Sequence, residues 1–411
     1  MTRQWTGGQY SVFRALLGAY LFIHFVHLIP WGSEVFSNQG MLAHGEASPL
    51  FHLFPNILML SDAPWAVGAL LVAGALSAAL LVLGLHDRLA AVAAWYVLAC
   101  LFTRNPLIAN PALPFVGWML LAHVFVPAAP WGSLAAAGRS DPGGGWTMPR
   151  PIFVAAWVVL ALSYSYSGYT KLLSPSWVSG DAIGYVLQNP LARDYFLRHL
   201  FLDLPPDALR ALTWAIMGIE LVFAPLALVA RLRPILWTAM AIVQLGFLAL
   251  LNFADLTVPM LLIHLLTFDP SWIGARRRSP ETIYYDGHCG LCHRVVRFVL
   301  AEDGAAHFRF APLQGSSFAH AVPAALRATL PDSFVLVDES GRLRVKGDAV
   351  IHMLRCLGGL WGVLGLMLQA LPRPLLDLAY TGVGRIRHRL FGRPARTCPL
   401  VPETLLPRFS G

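Results

Sequence analysis

Tyr285-Asp286-Gly287-His288-Cys289-Gly290-Leu291-Cys292 places two cysteines two residues apart, directly after a short apolar run, Ile283-Tyr284-Tyr285. The run reads as a strand, and 287–292 as a turn into a helix with Val295, Val296, Phe298, Val299 and Leu300 as its apolar positions. Further on, 307–310 reads as a second strand. Segments 333–338 and 342–346 read as a hairpin around Glu339-Ser340-Gly341, and Asp348 reads as the cap of a helix carrying Val350, Ile351, Leu354 and Leu357. The order βαβ followed by ββα predicts a small α/β domain.

A CxxC at the start of a helix has a chemical reason. The first thiol sits at the positive end of the helix dipole, beside backbone N–H groups without helical partners, and both favour thiolate over thiol. The two-residue spacing lets the second sulfur reach the first, so a mixed disulfide can be resolved within the domain. Cys289 is therefore read as the attacking thiolate and Cys292 as the resolving thiol. Asp286, Gly287 and His288 shape the approach, and His288 and His293, if protonated, add to thiolate stabilisation. Two other readings stand beside this one. A structural zinc site would need two more ligands from Cys356, Cys398, His288 and His293, with no second CxxC to supply them. The pair could also be inert buried thiols. Cys398, in Arg396-Thr397-Cys398-Pro399, is read as packing or as a third thiol near the pair, and Cys100 and Cys356 as packing.

Outside this segment the composition belongs to another solvent. The 411 residues are 56% hydrophobic and 13% charged, against about 45–50% and about 25% for soluble chains. That excludes a disordered chain, a collagen-like fibre and a single soluble domain. Eight apolar stretches, near 10–29, 65–85, 89–104, 112–128, 152–168, 211–230, 233–251 and 254–269, approach the roughly 20 residues needed to span a bilayer. Pro30-Trp31 directly follows the first, with no small-residue cleavage site, so it reads as a span and not as a cleaved leader. With the N-terminus inside, Arg3, Arg88, Arg139, Arg150, Arg231, Arg233 and Arg276-Arg277-Arg278 fall on the inner face. Arg104, Lys171, Arg193, Arg198 and Arg210 fall on the outer one. The expected place is the inner (cytoplasmic) membrane of a bacterial cell, multi-pass, with both termini cytoplasmic. Soluble patterning resumes after Ser279-Pro280, which divides the chain into 1–275 and 276–411. The net charge of +8 is read as positive-inside loops plus a basic tail facing the lipid, not as a nucleic-acid footprint. In that tail Arg385-Ile386-Arg387-His388-Arg389, Arg393 and Arg396 follow an apolar stretch, 357–371, that is too short to span.

The second informative stretch is Tyr164-Ser165-Tyr166-Ser167-Gly168-Tyr169-Thr170-Lys171-Leu172, followed by Ser176-Trp177-Val178-Ser179-Gly180. Lys171 and Lys346 are the two lysines among 30 basic residues. A lysine can give up its proton when desolvated and act as a base. It can equally anchor at the lipid interface beside Trp177. Other polar residues in the spans are His24, His27, His123, Glu220, Asn252, Asp255 and His264, with Glu220 the most telling because apolar residues flank it on both sides. His24 and His27 share a helical face, which suits a metal edge or satisfied core histidines.

Two resemblances rest on these residues. Residues 283–408 resemble the DCC family of thiol-disulfide oxidoreductases. The likeness runs through Asp286 to Cys292 and Phe310-Ala311-Pro312-Leu313-Gln314, then Gly347-Asp348-Ala349-Val350 and Leu371-Pro372-Arg373-Pro374, and ends in Arg387-His388-Arg389-Leu390-Phe391-Gly392-Arg393. It implies a thioredoxin-like fold and dithiol chemistry, with Pro331 as the candidate proline facing the dithiol. Residues 5–275 resemble the HTTM domain, a membrane domain related to vitamin K-dependent gamma-glutamyl carboxylase. The likeness lies in the Lys171 stretch and in Phe268-Asp269-Pro270-Ser271-Trp272, and it implies that Lys171 falls on the base that deprotonates the quinol. Ala109-Asn110-Pro111-Ala112 lacks a histidine that the carboxylase has, and Gln244 stands where it has another. Glutamate carboxylation is therefore not expected, while quinone or lipid binding in a membrane cavity is.

The expected architecture is an all-α membrane bundle of about eight transmembrane helices plus a C-terminal α/β thioredoxin-like domain. The leading expectation is a membrane-bound thiol-disulfide oxidoreductase whose partners are the bilayer and a protein thiol or disulfide, or a quinone, the one candidate cofactor. One alternative is a quinol-dependent, carboxylase-like enzyme with Lys171 as base and the dithiol as reductant. The other is a non-enzymatic membrane protein whose CxxC senses redox state.

Overall fold

The computed structural model describes residues 5–108, 110–274, 279–327, 330, 334–392, 399 and 401–410, giving the backbone alone at 386 and 388–390. The sequence readings at Arg3, Ala109, Arg276, Arg277, Arg278, Pro331, Arg393, Arg396, Thr397 and Cys398 lie outside the described residues. The chain divides into two compact units: Phe13–Ala128 with Pro149–Phe268, and Met1–Val12 with Ala129–Met148 and Asp269–Gly411.

The first unit is mostly helical. Proline opens several of its helices, among them Pro64–Leu83, Leu113–Val124, Arg150–Leu172, Pro206–Leu221 and Arg233–Leu250. A proline in the first turn has no N–H to leave unpaired and a φ already set for the helix. All eight apolar stretches of the sequence contain helix, but among the described residues four helices are long and apolar enough to cross a membrane: Gly7–Phe36, Pro64–Leu83, Arg150–Leu172 and Arg233–Leu250. The stretches at 112–128 and 254–269 yield helices of 12 and 14 residues, and 211–230 is divided between Pro206–Leu221, of 16 residues, and the short helix Phe223–Ala227. At about 1.5 Å per residue these fall short of a hydrocarbon core of about 30 Å. On the long helices, Leu76, Leu162 and Ile242 are more than half exposed, a cost in water that lipid removes. Arg150–Leu172 packs on Pro206–Leu221, and Gly168 permits the approach: a Cβ there would lie 2.4 Å from the backbone nitrogen of Leu221.

In the second unit, β1 (Glu281–Tyr285), β2 (Phe308–Pro312), β3 (Val335–Val337) and β4 (Leu343–Val345) form one sheet in the order β2-β1-β3-β4. Strand β1 runs parallel to β2 and antiparallel to β3, with Ile283 opposite Phe310 on one side and Leu336 on the other. β3 and β4 are antiparallel, so the order βαβ–ββα is the observed one. The unbroken apolar run in β1 has its reason in burial on both faces. Ile283 and Tyr285 join Val296, Phe308 and Leu336 in one cluster, and Tyr284 joins Ala311, Phe318 and Val335 in another.

Three helices follow: Lys346–Leu357, Gly359–Gln369 and Arg373–Phe391. The first begins two residues before the expected cap, with Val345 as N-cap. Asp348 lies inside its first turn, where its carboxylate accepts from Arg344 at 3.0 Å. The basic tail is not a separate segment up to Phe391, since its arginines continue the last helix. The N-terminal residues of this unit are held by one buried carboxylate. Glu302 accepts from Gly8 N at 2.8 Å, from the Thr6 hydroxyl and from Trp361 Nε1, and burial pushes its carboxyl up from the usual range.

Candidate functional site

The helix Gly290–Glu302 starts directly at the cysteine pair, with Cys289 as its N-cap. The Cys289 Sγ takes the place a serine or aspartate oxygen normally fills, and the backbone N–H of Cys292 donates to it at 3.5 Å. Both thiols are free and buried, Cys289 at 0% and Cys292 at 7% exposure. Burial, and then Cys289 beside it, push the Cys292 thiol up to about 12. Cys292 therefore carries its proton at neutral pH. A thiol whose pKa rises on folding favours the fold below its unfolded value of about 8.5. This contribution is lost as pH climbs from there toward about 12. The domain is expected to lose stability across that window, and thermal unfolding of Cys292→Ala should lack that part of the slope.

The turn ahead of the helix is held by Asp286, which is 5% exposed. Its Oδ1 accepts from His288 N at 2.9 Å and from Gln314 Nε2 at 3.0 Å, and its Oδ2 lies 3.7 Å from Arg387 Nη2. Gln314 Oε1 in turn accepts from Gly287 N at 3.1 Å. Carboxylate, amide and guanidinium thus fix the peptide from which Cys289 springs. His293 Nε2 donates to the Gly287 carbonyl at 3.0 Å, while His288 is exposed. Gly290 lets the last helix close over this end: a Cβ there would stand 2.1 Å from the Phe391 carbonyl oxygen. A cavity of about 350 Å³ opens beside Cys292, with almost wholly apolar walls that include Leu291, Val295, Phe334, Tyr380 and Val383.

Of the residues read from the sequence, Cys289, Cys292, Asp286, Gly287 and His288 come together here. Gln314 and Arg387 complete the site. Both lay inside the stretches that carried the resemblance, yet nothing in their spacing tied them to Asp286. Lys171, Glu220 and Trp177 converge in the helical unit. Lys171 Nζ donates to Glu220 Oε2 and, at 2.7 Å, to Ser167 Oγ, and lies 4.8 Å from the centre of the Trp177 ring. Glu220 is 4% exposed, so this buried carboxylate has its cation. His24 Nδ1 bonds Asp255 Oδ1 at 3.0 Å alongside Tyr20 and Asn110.

Residues 283–393 match the family model described as DCC1-like thiol-disulfide oxidoreductase. The chain is 30% identical over 133 residues to the uncharacterized protein YuxK of Bacillus subtilis, covering 93% of that protein and 31% of this chain. The chain belongs to the DCC1-like thiol-disulfide oxidoreductase family. It is also 30% identical over 109 residues to a chloroplastic DCC family protein of Arabidopsis thaliana, spanning 63% of that protein and 26% of this chain. No solved structure matches the chain. Family membership concerns the sheet domain and supports a redox role for it.

Proposed function

We propose that this chain is a membrane-bound thiol-disulfide oxidoreductase whose electrons pass through Cys289 and Cys292. The Cys289 thiolate attacks a substrate disulfide, forming a mixed disulfide and expelling one substrate thiolate, which takes up a proton. Cys292 then gives up its proton and attacks the Cys289 sulfur, which releases the second substrate thiol. The domain ends as a disulfide and the substrate as two thiols, with two electrons and two protons transferred. The observation that carries this reading is Cys289 at the helix N-cap, with the Cys292 N–H directed at its sulfur, in a chain of this family. The sheet order β2-β1-β3-β4 supports a thioredoxin-like domain.

For the helical part we propose an HTTM-type membrane domain within residues 1–275, set in the inner membrane with both termini cytoplasmic and with Lys171 and Glu220 at its polar site. The four long apolar helices support the membrane reading. A second electron partner is favoured by the apolar cavity beside Cys292. A quinone fits its size and polarity, and the exchange balances as dithiol plus quinone to disulfide plus quinol.

The test uses the full chain, purified in detergent and reduced. Oxidised glutathione and a short-chain quinone are offered separately, and the Cys289–Cys292 disulfide is read by peptide mass. One disulfide per chain is expected, and none in Cys289→Ser. Oxidation by quinone alone would move the reading to the cavity, and oxidation by neither would end it.

A further inference from the structure

A second cluster of ligand-type side chains lies in the same sheet domain and uses neither Cys289 nor Cys292. Glu281, the first residue of β1, is 2% exposed. Its Oε2 lies 2.8 Å from His352 Nε2, and its Oε1 lies 3.7 Å from His307 Nε2. His352 and Cys356 stand four residues apart on the helix Lys346–Leu357 and so share a face. The Cys356 Sγ is 3.5 Å from His352 Nε2. One ligand atom each from Glu281, His352 and Cys356 falls within 4.8 Å of the others. His307 is 9% exposed, and its Nε2 faces Glu281 with no hydrogen-bond partner among the described residues.

We propose that Glu281, His352 and Cys356 bind a zinc-class divalent cation, with His307 bonded to the free oxygen of Glu281 as its outer support. The donor set is chemically matched. Carboxylate, thiolate and neutral imidazole against a dication sum to zero charge, which a buried site requires. Bonds of about 2.0–2.3 Å at tetrahedral angles put neighbouring ligand atoms about 3.4 Å apart. The Cys356–His352 separation already fits, and the Glu281–His352 separation reaches it with a small turn of the carboxylate. A ligating carboxylate is characteristically held by an outer hydrogen bond, and His307 is placed to supply one.

Three protein ligands leave a fourth position. His352 and Cys356 form part of the wall of a cavity of about 580 Å³ that also carries Arg342, Lys346 and Arg373. The fourth position therefore faces a basic chamber suited to water or a small anion, the pattern of an open zinc site and not of a closed structural one.

The experiment uses the full chain in detergent, stripped with chelator and titrated with Co²⁺. One equivalent should bind with a thiolate-to-cobalt charge-transfer band, and Zn²⁺ should abolish that band by displacement. The band should persist in the Cys289→Ser/Cys292→Ser double variant and vanish in Cys356→Ser. Glu281→Gln, which changes no sulfur, should weaken Co²⁺ binding by at least 100-fold, and His307→Ala by about 10-fold. Circular dichroism of each variant separates lost ligation from lost fold. Absence of the band in the wild type, or its survival in a folded Cys356→Ser, leaves a Glu–His hydrogen-bond network and overturns the proposal. Loss of the band in the double variant would place the metal on the dithiol and overturn it equally.

Discussion

A Cys292→Ser variant is expected to accumulate a mixed disulfide through Cys289, close to one adduct per chain, when given a disulfide substrate without added thiol. The N–H that donates to the Cys289 sulfur at 3.5 Å belongs to the backbone of residue 292, so the substitution leaves that bond in place. The cap position at the leading end of Gly290–Glu302 is likewise unchanged. What disappears is the second sulfur, without which the first exchange step has no internal sequel. The adduct should then persist until an external thiol reduces it. Cys289→Ser should form none, because the remaining sulfur, that of Cys292, lies inside the first turn of the helix and not at its N-cap. Non-reducing electrophoresis followed by peptide mass mapping reads both variants. An adduct on Cys292 in Cys289→Ser, in equal yield, would reverse the assignment of the two sulfurs.

Asp286→Ala is expected to lower the stability of the sheet domain by about 3–5 kcal/mol, or roughly 10 °C in the unfolding midpoint of a domain this size. The carboxylate does three things at once. It accepts from His288 N, it accepts from Gln314 Nε2, and it faces the buried Arg387 guanidinium. Alanine removes the acceptor for two part-buried hydrogen bonds and takes the carboxylate away from the buried Arg387, and breaking such a pair costs more than the pair itself contributes. Asp286→Asn keeps an acceptor for the two donors and should cost less, about 1–3 kcal/mol. Thermal unfolding in detergent measures both. A midpoint within about 2 °C of wild type in Asp286→Ala would show that solvent already reaches the pair.

These two results bear on different links of one chain of causes. The first concerns the sulfur chemistry, which the local sequence carries almost alone. The second concerns the frame around it, which draws on residues 28 and 101 positions beyond Asp286. The helical unit repeats the contrast. Lys171 and Trp177 stand six residues apart and could be read together, whereas Glu220 reaches Lys171 because Gly168 lets two helices close on each other.

Much of the domain follows from short-range pattern. The strand Ile283-Tyr284-Tyr285, the turn, the cysteine cap, the helix behind it and the hairpin around Gly341 are all dictated by residues within a few positions of one another. Alternation, turn chemistry and capping act over that range. Apolar stretches are equally local, so all eight helical segments were legible. Their lengths were not, because a helix ends where its caps and packing end it, and four fell short or were too polar to cross. The reading of Cys356 as packing shows the same limit. Its helix face is evident from spacing, but its neighbour Glu281 arrives from the start of a strand. Contacts across 71 and 75 residues depend on how the sheet and helices close, and no periodicity within any one segment records that closure.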